Sequence, residues 1–171
     1  MTDAPAPPAL RRCTDADTPA ILAIVNAAAE AYRGVIPADR WHEPYMSADE
    51  LAQDITAGVE FWGAEAGGEL VGIMGFQPVK DVDLIRHAYV RPGVQGGGIG
   101  TALIRHLMAR STRLMLVGTW AAATWAVRFY ERHGFTLEPD GRKRELLQSY
   151  WTIPDRQIET SVVLSRDRCR L

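Results

Sequence analysis

The stretch VRPGVQGGGIGTALIRHLM, residues 90–108, is an unusual part of this 171-residue chain. Five of the eight residues from Gly93 to Gly100 are glycine, and a helical pattern follows at once. Glycine loses more backbone freedom on folding than any other residue, so such a cluster needs a reason. The helix that follows has one apolar face, made of Ile99, Leu103, Ile104, Leu107 and Met108.

A flexible loop and two nucleotide-binding loops are alternative explanations of the glycines. A Walker loop needs a lysine after its second glycine, and although Gly93 and Gly98 have the right separation, Ile99 stands in the lysine position. The dinucleotide fingerprint also fails, because its third glycine would fall on Thr101 or on Leu103. Neither nucleotide motif is therefore present.

An anion site at the start of a helix is the third explanation. A strand, a glycine turn and a helix bring several free backbone N–H groups into one concave surface. The helix N-terminus adds roughly half a positive charge, and the missing side chains let a phosphate approach the backbone closely. This arrangement predicts a pyrophosphate site that needs neither a lysine nor a metal ion.

The segments on either side of the glycines alternate between strand-like and helical patterns. Gly67-Gly68 joins two strand-like runs, which is typical of a hairpin, and Ser47 with Glu50 forms a helix-starting capping box. The order predicts one α/β or α+β domain with helices on both faces of its sheet. We predict strands within 9–14, 60–79, 82–90, 113–120, 135–138 and 156–166, and helices within 15–32, 47–58, 100–111, 122–134 and 140–151.

The composition is that of an ordinary soluble protein, with 47% hydrophobic and 23% charged residues and a net charge of −2. We therefore expect neither nucleic acid nor a membrane as a partner. The Pro/Ala-rich residues 1–8 are predicted to be a flexible tail before a domain at 9–171, and they lack the pattern of a signal peptide. Cys13 and Cys169 form neither a disulfide framework nor a metal site, so a cytoplasmic location is expected.

Two motifs carry a resemblance to a known family. QGGGIG, residues 95–100, resembles the Q/R-x-x-G-x-G/A signature of the GCN5-related N-acetyltransferases (GNAT). WAVRFYERHGF, residues 125–135, is similar to the second motif of that family, and AYVRP resembles the end of its fourth strand. The resemblance implies a mixed, mostly antiparallel sheet of about seven strands with helices on both faces. It also implies an N-acetyltransferase that uses acetyl-coenzyme A.

The resemblance further implies a donor site around the glycine segment. The backbone N–H groups of Gln95–Thr101 would hold the pyrophosphate, and main-chain groups near Tyr89 and Val90 would pair with the pantetheine arm between two diverging strands. The Val90 N–H is the expected partner of the thioester carbonyl. The implied donor-binding residues are Tyr89, Val90, Gln95, Gly96, Gly97, Gly98, Ile99, Gly100, Thr101 and Ala126.

Two residues are candidates for proton transfer. Tyr130 matches a tyrosine that the family often uses as general acid, and its ordinary pKa near ~10 is close to the ~8.5 of a thiol. The family's usual strand glutamate is replaced by Leu84, so His87 is a candidate base and a water relay to a carboxylate is an equal alternative. The family's asparagine before the second motif is replaced by Ala123.

The acceptor is expected beside residues 31–47, which are rich in aromatic and charged side chains. Tyr32, Trp41 and Glu43 are candidate acceptor-binding residues, although the same segment could be a surface loop held by packing. The expected acceptor is a small-molecule or peptide primary amine, which attacks the bound thioester directly in a ternary complex. The resemblance also implies a possible homodimer. A non-catalytic acyl-coenzyme A sensor and a protein acetyltransferase acting on N-termini or lysines are the alternatives.

Overall fold

A computed structural model describes residues 6–168 and contains one seven-stranded sheet. The strand order across the sheet is β1-β2-β3-β4-β5-β7-β6. The strands are β1 Ala9–Arg12, β2 Glu60–Ala66, β3 Glu69–Val79, β4 Val82–Val90, β5 Leu114–Trp120, β6 Thr136–Leu137 and β7 Ser161–Arg166. The helices are α1 Thr18–Ala28, α2 Ala48–Thr56, α3 Ile99–Arg110, α4 Thr124–Arg132, α5 Asp140–Tyr150 and α6 Asp155–Glu159.

The sheet is mixed and mostly antiparallel, which confirms the predicted fold class. Among the strands of residues 6–168, β4 and β5 alone run parallel, and α3 makes the crossover between them. Parallel neighbours need such a crossover, whereas β2 and β3 are joined directly through Gly67 and Gly68. The glycine segment therefore lies at the carboxyl end of β4, where the chain leaves the sheet.

Helices cover both faces of the sheet because neighbouring strand residues point to opposite sides. On β3, Met74 packs with α3 and Tyr130 of α4, whereas Ile73 packs with α1 and α2 on the other face. On β4, Ile85 joins the first of these clusters, and Leu84 packs against α5 and α6. Every one of these strand side chains is buried.

The element boundaries agree with the sequence patterns, with one exception. The Ser47–Glu50 capping box is present, since each residue accepts a backbone hydrogen bond from the other, at 3.1 and 2.7 Å. The prediction that 156–166 is one strand is wrong, because Asp155–Glu159 forms α6 before β7 begins. The carbonyl of Pro154 accepts hydrogen bonds from Gln157 and Ile158, which closes a helical turn.

Some predictions concern residues at the chain ends. Residues 1–5 of the predicted tail and Cys169 lie outside the described residues. The boundary between a tail and a domain at residue 9 therefore stays a prediction. Between residues 6 and 168, no helix combines the length and the apolar character needed to cross a membrane.

Candidate active site

The parallel strands β4 and β5 diverge halfway along their length. They pair from Val82–Ile85 to Leu114–Val117, and within the described part of the chain their pairing ends at Ile85 and Val117. From there β5 keeps its hydrogen bonds to β7, while β4 stays paired with β3 as far as Val90. A wedge-shaped gap therefore opens between the two strands toward the glycine segment.

A β-bulge in β4 lies at the opening of this gap. Tyr89 pairs with Ile73 and Arg86 with Gly75, so His87 and Ala88 together face the single residue Met74. His87 has a φ of 51°, in the left-handed region that non-glycine residues rarely adopt. Bulges of this kind change the direction of side chains and increase local twist.

The polar groups of Val90 face the gap. The Arg91 N–H donates to the carbonyl of Val71 on β3 at 2.8 Å, so the neighbouring peptide edge of Val90 points away from β3. The Gln95 side-chain amide donates to the Val90 carbonyl at 3.3 Å. The Val90 N–H lies on the same edge of the strand and faces the space that the pantetheine arm is expected to enter.

The glycine segment has the backbone conformation of an anion cradle. Gly96 and Gly98 have φ values of 83° and 80°, which an L side chain adopts only with strain. Ala102 donates the hydrogen bond to the Gly98 carbonyl at 2.9 Å that opens α3. The N–H groups of the preceding turn have no intrahelical acceptor and are available to a bound anion.

A cavity of about 510 Å³ extends from this cradle along the gap. Of the predicted donor-binding residues, all of which are described, Gly97 alone lies outside its lining. Arg132 also lines the cavity. It was not predicted from the sequence, because it occupies a polar position of the second motif that no local pattern distinguishes from the others. The predicted residues in the lining are Tyr89, Val90, Gln95, Gly96, Gly98, Ile99, Gly100, Thr101, Ala126 and Tyr130, the last as candidate acid.

The cavity fits an anionic group followed by a long, mainly apolar arm. A Cβ on Gly100 would come within 3.2 Å of Phe129 and 3.9 Å of Val90. The absence of a side chain at Gly100 therefore keeps the cavity open between these two residues. The free N–H groups at one end suit a diphosphate. The strand edge at Val90 suits an amide-containing arm.

Tyr130 lines this cavity and is almost fully buried, with 5% of its surface exposed. Its ring packs edge-on against Phe129 and Phe135, at centroid distances of 5.2 and 5.7 Å. Burial raises the pKa of Tyr130 well above its usual value. The hydroxyl therefore stays protonated near neutral pH. Its pKa lies further from that of a thiol than the ordinary pKa of tyrosine does.

Two further cavities, of about 400 and 160 Å³, lie on the other side of the strand gap. Tyr89 lines both of them and also the 510 Å³ cavity, which we call the donor cavity after its expected ligand. The two share the side chains of Tyr45, His87, Tyr89, Trp120 and Gln157. The donor cavity thus shares the lining residue Tyr89 with both of these cavities, and it shares Tyr32 with the smaller one.

Three tyrosines form a neutral polar wall between these spaces. The Tyr32 ring lies 5.5 Å from that of Tyr45 and 6.3 Å from that of Tyr89. Trp120 Nε1 donates to the Tyr45 hydroxyl at 2.9 Å. Burial raises the pKa of Tyr32 to about 12 and raises those of Tyr45 and Tyr89 as well. All three hydroxyls therefore remain uncharged at neutral pH.

His87 contacts the carboxylate of Asp54, which was not predicted from the sequence as a site residue. Its Nε2 lies 2.7 Å from Oδ2 of Asp54 on α2, and its ring stacks on Phe61. Arg86 also reaches Asp54, with Nη2 3.4 Å from Oδ1. Partial burial acts to raise the pKa of Asp54, but the His87 hydrogen bond and the nearby positive charges lower it overall.

Strand alternation predicts that Arg86 and His87 point to opposite faces, yet both contact Asp54. The bulge at His87 is the reason. Asp54 lies 33 residues from His87 in the chain, at a polar position of an amphipathic helix. No sequence signal distinguishes it from the other acidic residues of α2.

Of the predicted acceptor-binding residues, Trp41 and Glu43 lie apart from this gap, whereas Tyr32 lies beside it. Tyr32 lines the donor cavity and the smaller opposite cavity. Trp41 and Glu43 form a surface cluster with Arg33, whose guanidinium stacks 4.6 Å from the Trp41 ring and pairs with Glu43. Leu84, which replaces the family glutamate, is fully buried in the core.

Comparison with known proteins agrees with this geometry. A family model for an acetyltransferase (GNAT) domain matches residues 57–137. The amino-acid acetyltransferase of Mycobacterium tuberculosis is 31% identical over 133 residues, covering 75% of this chain and 68% of that protein. The chain belongs to the GNAT family of acetyltransferases.

This GNAT acetyltransferase has other relatives in sequence and in structure. The mycothiol acetyltransferase of Streptomyces avermitilis is 41% identical over 88 residues, which are 47% of this chain and 28% of that protein. The PaiA N-acetyltransferase of Thermoplasma acidophilum, solved with coenzyme A, has a TM-score of 0.69 at 16% identity. The match covers 93% of this chain and 98% of that one. Family membership makes this chain an N-acetyltransferase that uses acetyl-coenzyme A.

Proposed function

We propose that this enzyme transfers the acetyl group of acetyl-coenzyme A to the primary amine of a small molecule by direct attack in a ternary complex. The observation that carries this proposal is the position of Tyr89, which lines the donor cavity and both cavities across the strand gap. Two ligands entering from opposite sides would meet beside this ring. Such proximity converts a bimolecular reaction into an effectively unimolecular one.

The donor is held by main-chain groups in this proposal. The first turn of α3 and the loop from Gln95 bind the diphosphate, and the Val90 edge of β4 binds the arm. Bound acetyl-coenzyme A supplies an activated thioester and a thiol leaving group. The Val90 N–H donates to the thioester carbonyl, where negative charge develops during transfer.

Tyr130 and His87 move the protons. The raised pKa of Tyr130 keeps its hydroxyl protonated, which is the state that a general acid needs at the departing sulfur. His87 lines both cavities of about 400 and 160 Å³ across the strand gap, which we call the acceptor-side cavities, and its imidazole takes the proton from the attacking amine. A base and an acid on opposite sides of the gap match the direction in which the protons must travel.

Direct transfer is favoured over an acyl-cysteine intermediate. Cys13, the cysteine that falls within the described residues, lines none of the three cavities around the gap. Burial raises its pKa to about 11, so little reactive thiolate is present at neutral pH. A thiol in that state is a poor nucleophile for a thioester.

A small acceptor suits the cavities on the far side of the gap. The larger one, of about 400 Å³, has the volume of a small-molecule site, and the smaller one, of about 160 Å³, shares five lining residues with it. Tyr32 lines the smaller cavity. The Trp41 ring lies 5.7 Å from the ring of Tyr45, and Glu43 accepts a hydrogen bond from Trp41. The name of the M. tuberculosis relative makes free amino acids the first acceptors to test.

The test is release of free coenzyme A from acetyl-coenzyme A in the presence of a panel of amines. The panel contains amino acids, polyamines, aromatic amines and short peptides with free N-termini or lysines. We expect turnover with a small amine. Turnover with peptides alone would favour the protein acetyltransferase, and tight coenzyme A binding without turnover by any amine would favour the sensor.

A further inference from the structure

We propose that Asp54 is a positioning residue that holds His87 in one tautomer and orientation for proton abstraction. This inference rests on the proposed transfer to an amine, in which His87 is the base. Neither residue belongs to the two motifs that mark the donor site. Their contact joins α2 to the bulged part of β4, at the edge of the larger acceptor-side cavity.

The geometry of the contact is specific. The 2.7 Å distance between His87 Nε2 and Asp54 Oδ2 is that of a strong, charge-assisted hydrogen bond. The positive φ of His87 is needed to bring the ring to this carboxylate rather than to the opposite face of the sheet. A non-glycine residue in that region has a strained backbone, so the surrounding contacts must hold it there.

Three neighbours restrict the two side chains further. The imidazole stacks on Phe61, with 6.0 Å between the ring centroids and 22° between the planes. The other oxygen of Asp54 faces Arg86, and the Arg86 guanidinium is fixed by a 2.8 Å hydrogen bond to Gln77. Both ends of the carboxylate are thus engaged, which limits its rotation.

The chemistry follows from which ring nitrogen carries the proton. With Nε2–H donating to Asp54, the neutral imidazole has its lone pair on Nδ1. During the reaction the amine N–H bond breaks and an Nδ1–H bond forms, which leaves an imidazolium beside the Asp54 carboxylate. The carboxylate stabilises that positive charge without taking up the proton itself, as in other Asp–His pairs.

Other charged groups face His87 across the same cavity. Asp54 is the hydrogen-bond partner of the ring among the described residues, and Arg86 is its neighbour on β4. The loop before α2 and α2 itself supply carboxylates, one arginine and a second histidine, and two tyrosines complete the wall. These groups are Asp39, Arg40, His42, Tyr45, Glu50 and Tyr89. Because positive and negative charges are mixed, the carboxylate in direct contact dominates.

A purely structural role for Asp54 would be a tether between α2 and β4. Such a tether would affect the unfolding temperature and, through the shape of the cavity, the KM for the amine. It would not change the pH at which the base loses activity or the tautomer of the ring. These two quantities separate positioning from tethering.

The experiment compares wild type with Asp54→Asn, Asp54→Glu, His87→Gln and the control Asp49→Asn. Asp49 is an exposed carboxylate in the first turn of the same helix, so the control removes an equal charge from α2. For each protein, kcat and kcat/KM for the best amine are measured from pH 5.5 to 9.5. Nitrogen NMR of labelled histidine records the His87 tautomer without any substrate.

We expect Asp54→Asn to lower kcat about tenfold or more and to move the acidic limb of the profile to lower pH, because the imidazolium loses its partner. The Nε2–H tautomer of His87 should dominate in wild type and lose its dominance in Asp54→Asn. Asp54→Glu should recover part of both effects, and Asp49→Asn should behave as wild type.

Two outcomes would overturn the inference. One is an Asp54→Asn enzyme that is folded and has an unchanged pH profile and tautomer. The other is a His87→Gln enzyme with wild-type turnover, because a base that is not needed requires no positioning. The proposed transfer fails separately, if wild type itself acetylates no amine, and the tautomer measurement is unaffected by that result.

Discussion

Gly100 of α3 and Phe129 of α4 pack so closely that a Cβ on the glycine would lie 3.2 Å from the ring edge. The two residues belong to different motifs and line the same donor cavity. Their contact sets the distance between the start of α3, where the diphosphate is expected, and the helix that carries Tyr130. A side chain at Gly100 would therefore disturb both parts of the donor site.

Gly100→Val tests this contact. The branched side chain must move the Phe129 ring or narrow the passage beside Val90, so we expect the Kd for coenzyme A to rise tenfold or more, about 1.4 kcal/mol. Isothermal titration calorimetry measures it. Gly141→Val is the matched control, because Gly141 lies on α5 and a Cβ added there would meet open space. Unchanged binding in Gly100→Val would contradict the cradle.

Gly98→Ala tests the left-handed turn itself. At φ 80° the added methyl meets open space, so the cost is backbone strain of about 1–2 kcal/mol rather than a clash. The same substitution at Gly141 should instead stabilise by about 0.4–1 kcal/mol, since that glycine is helical without a positive φ. Denaturant unfolding compares the two, and effects of the same sign would argue against the described turn.

Tyr130→Phe removes the proposed acid while keeping the ring contacts with Phe129 and Phe135. We expect kcat to fall about 100-fold, the usual scale of general acid catalysis, with little change in the Kd for coenzyme A. Steady-state kinetics and calorimetry measure the two effects. Tyr150→Phe, which removes the hydroxyl that bonds Asp81 on the surface, serves as control. A Tyr130→Phe enzyme with full turnover would exclude the role.

Arg132 lies at the edge of the donor cavity, and we expect it to attract a phosphate of coenzyme A. Arg132→Gln should raise the KM for acetyl-coenzyme A about threefold to tenfold at low ionic strength, with a smaller effect in high salt because exposed charges are screened. Arg128→Gln changes an exposed arginine of the same helix outside that cavity. Equal effects of the two substitutions would indicate a general charge effect.

The ion pair between Arg11 and Asp17 should make the free energy of unfolding depend on pH. Paired hydrogen bonds from Arg11, both at 2.8 Å, lower the pKa of Asp17 to about 2. Because this is below the unfolded value of ~3.9, the stabilisation is present above about pH 4 and is lost as the pH falls toward 2. Asp17→Asn should cost about 1 kcal/mol at pH 7, since surface exposure weakens the pair, and almost nothing at pH 2.

Unfolding curves of Asp17→Asn at several pH values check this dependence. Asp15→Asn, the control, removes the same charge from the same turn. Its free energy of unfolding should stay within about 0.5 kcal/mol of the wild-type value. A loss of stability in Asp17→Asn that is equal at pH 7 and pH 2 would exclude the ion pair as its cause.

Much of the lining of the 510 Å³ cavity was predictable because it comes from segments that are contiguous in the chain. The glycines, the strand before them and the helix after them determine the cradle through local backbone preferences, and the second motif places Tyr130 on a helix with one apolar face. Arg132 was not predictable, since nothing in its neighbourhood indicates which polar positions of α4 face a cavity. The helix at Asp155–Glu159 was missed because the pattern of β7 was extended backward across it.

The acceptor side depended on contacts that no local pattern encodes. The gap forms because β5 continues its pairing with β7 while β4 follows β3, and that choice involves strands far apart in the chain. Asp54 meets His87 only because α2 packs across the sheet and a bulge turns the histidine toward it.

The amino-acid order is therefore enough to indicate the family, the glycine loop between β4 and α3, and the order of strands and helices, because these follow from residues close together in the chain. The tertiary structure alone decided where the sheet opens and which carboxylate faces the histidine. Such contacts depend on the balance of packing and hydrogen bonding over the whole sheet.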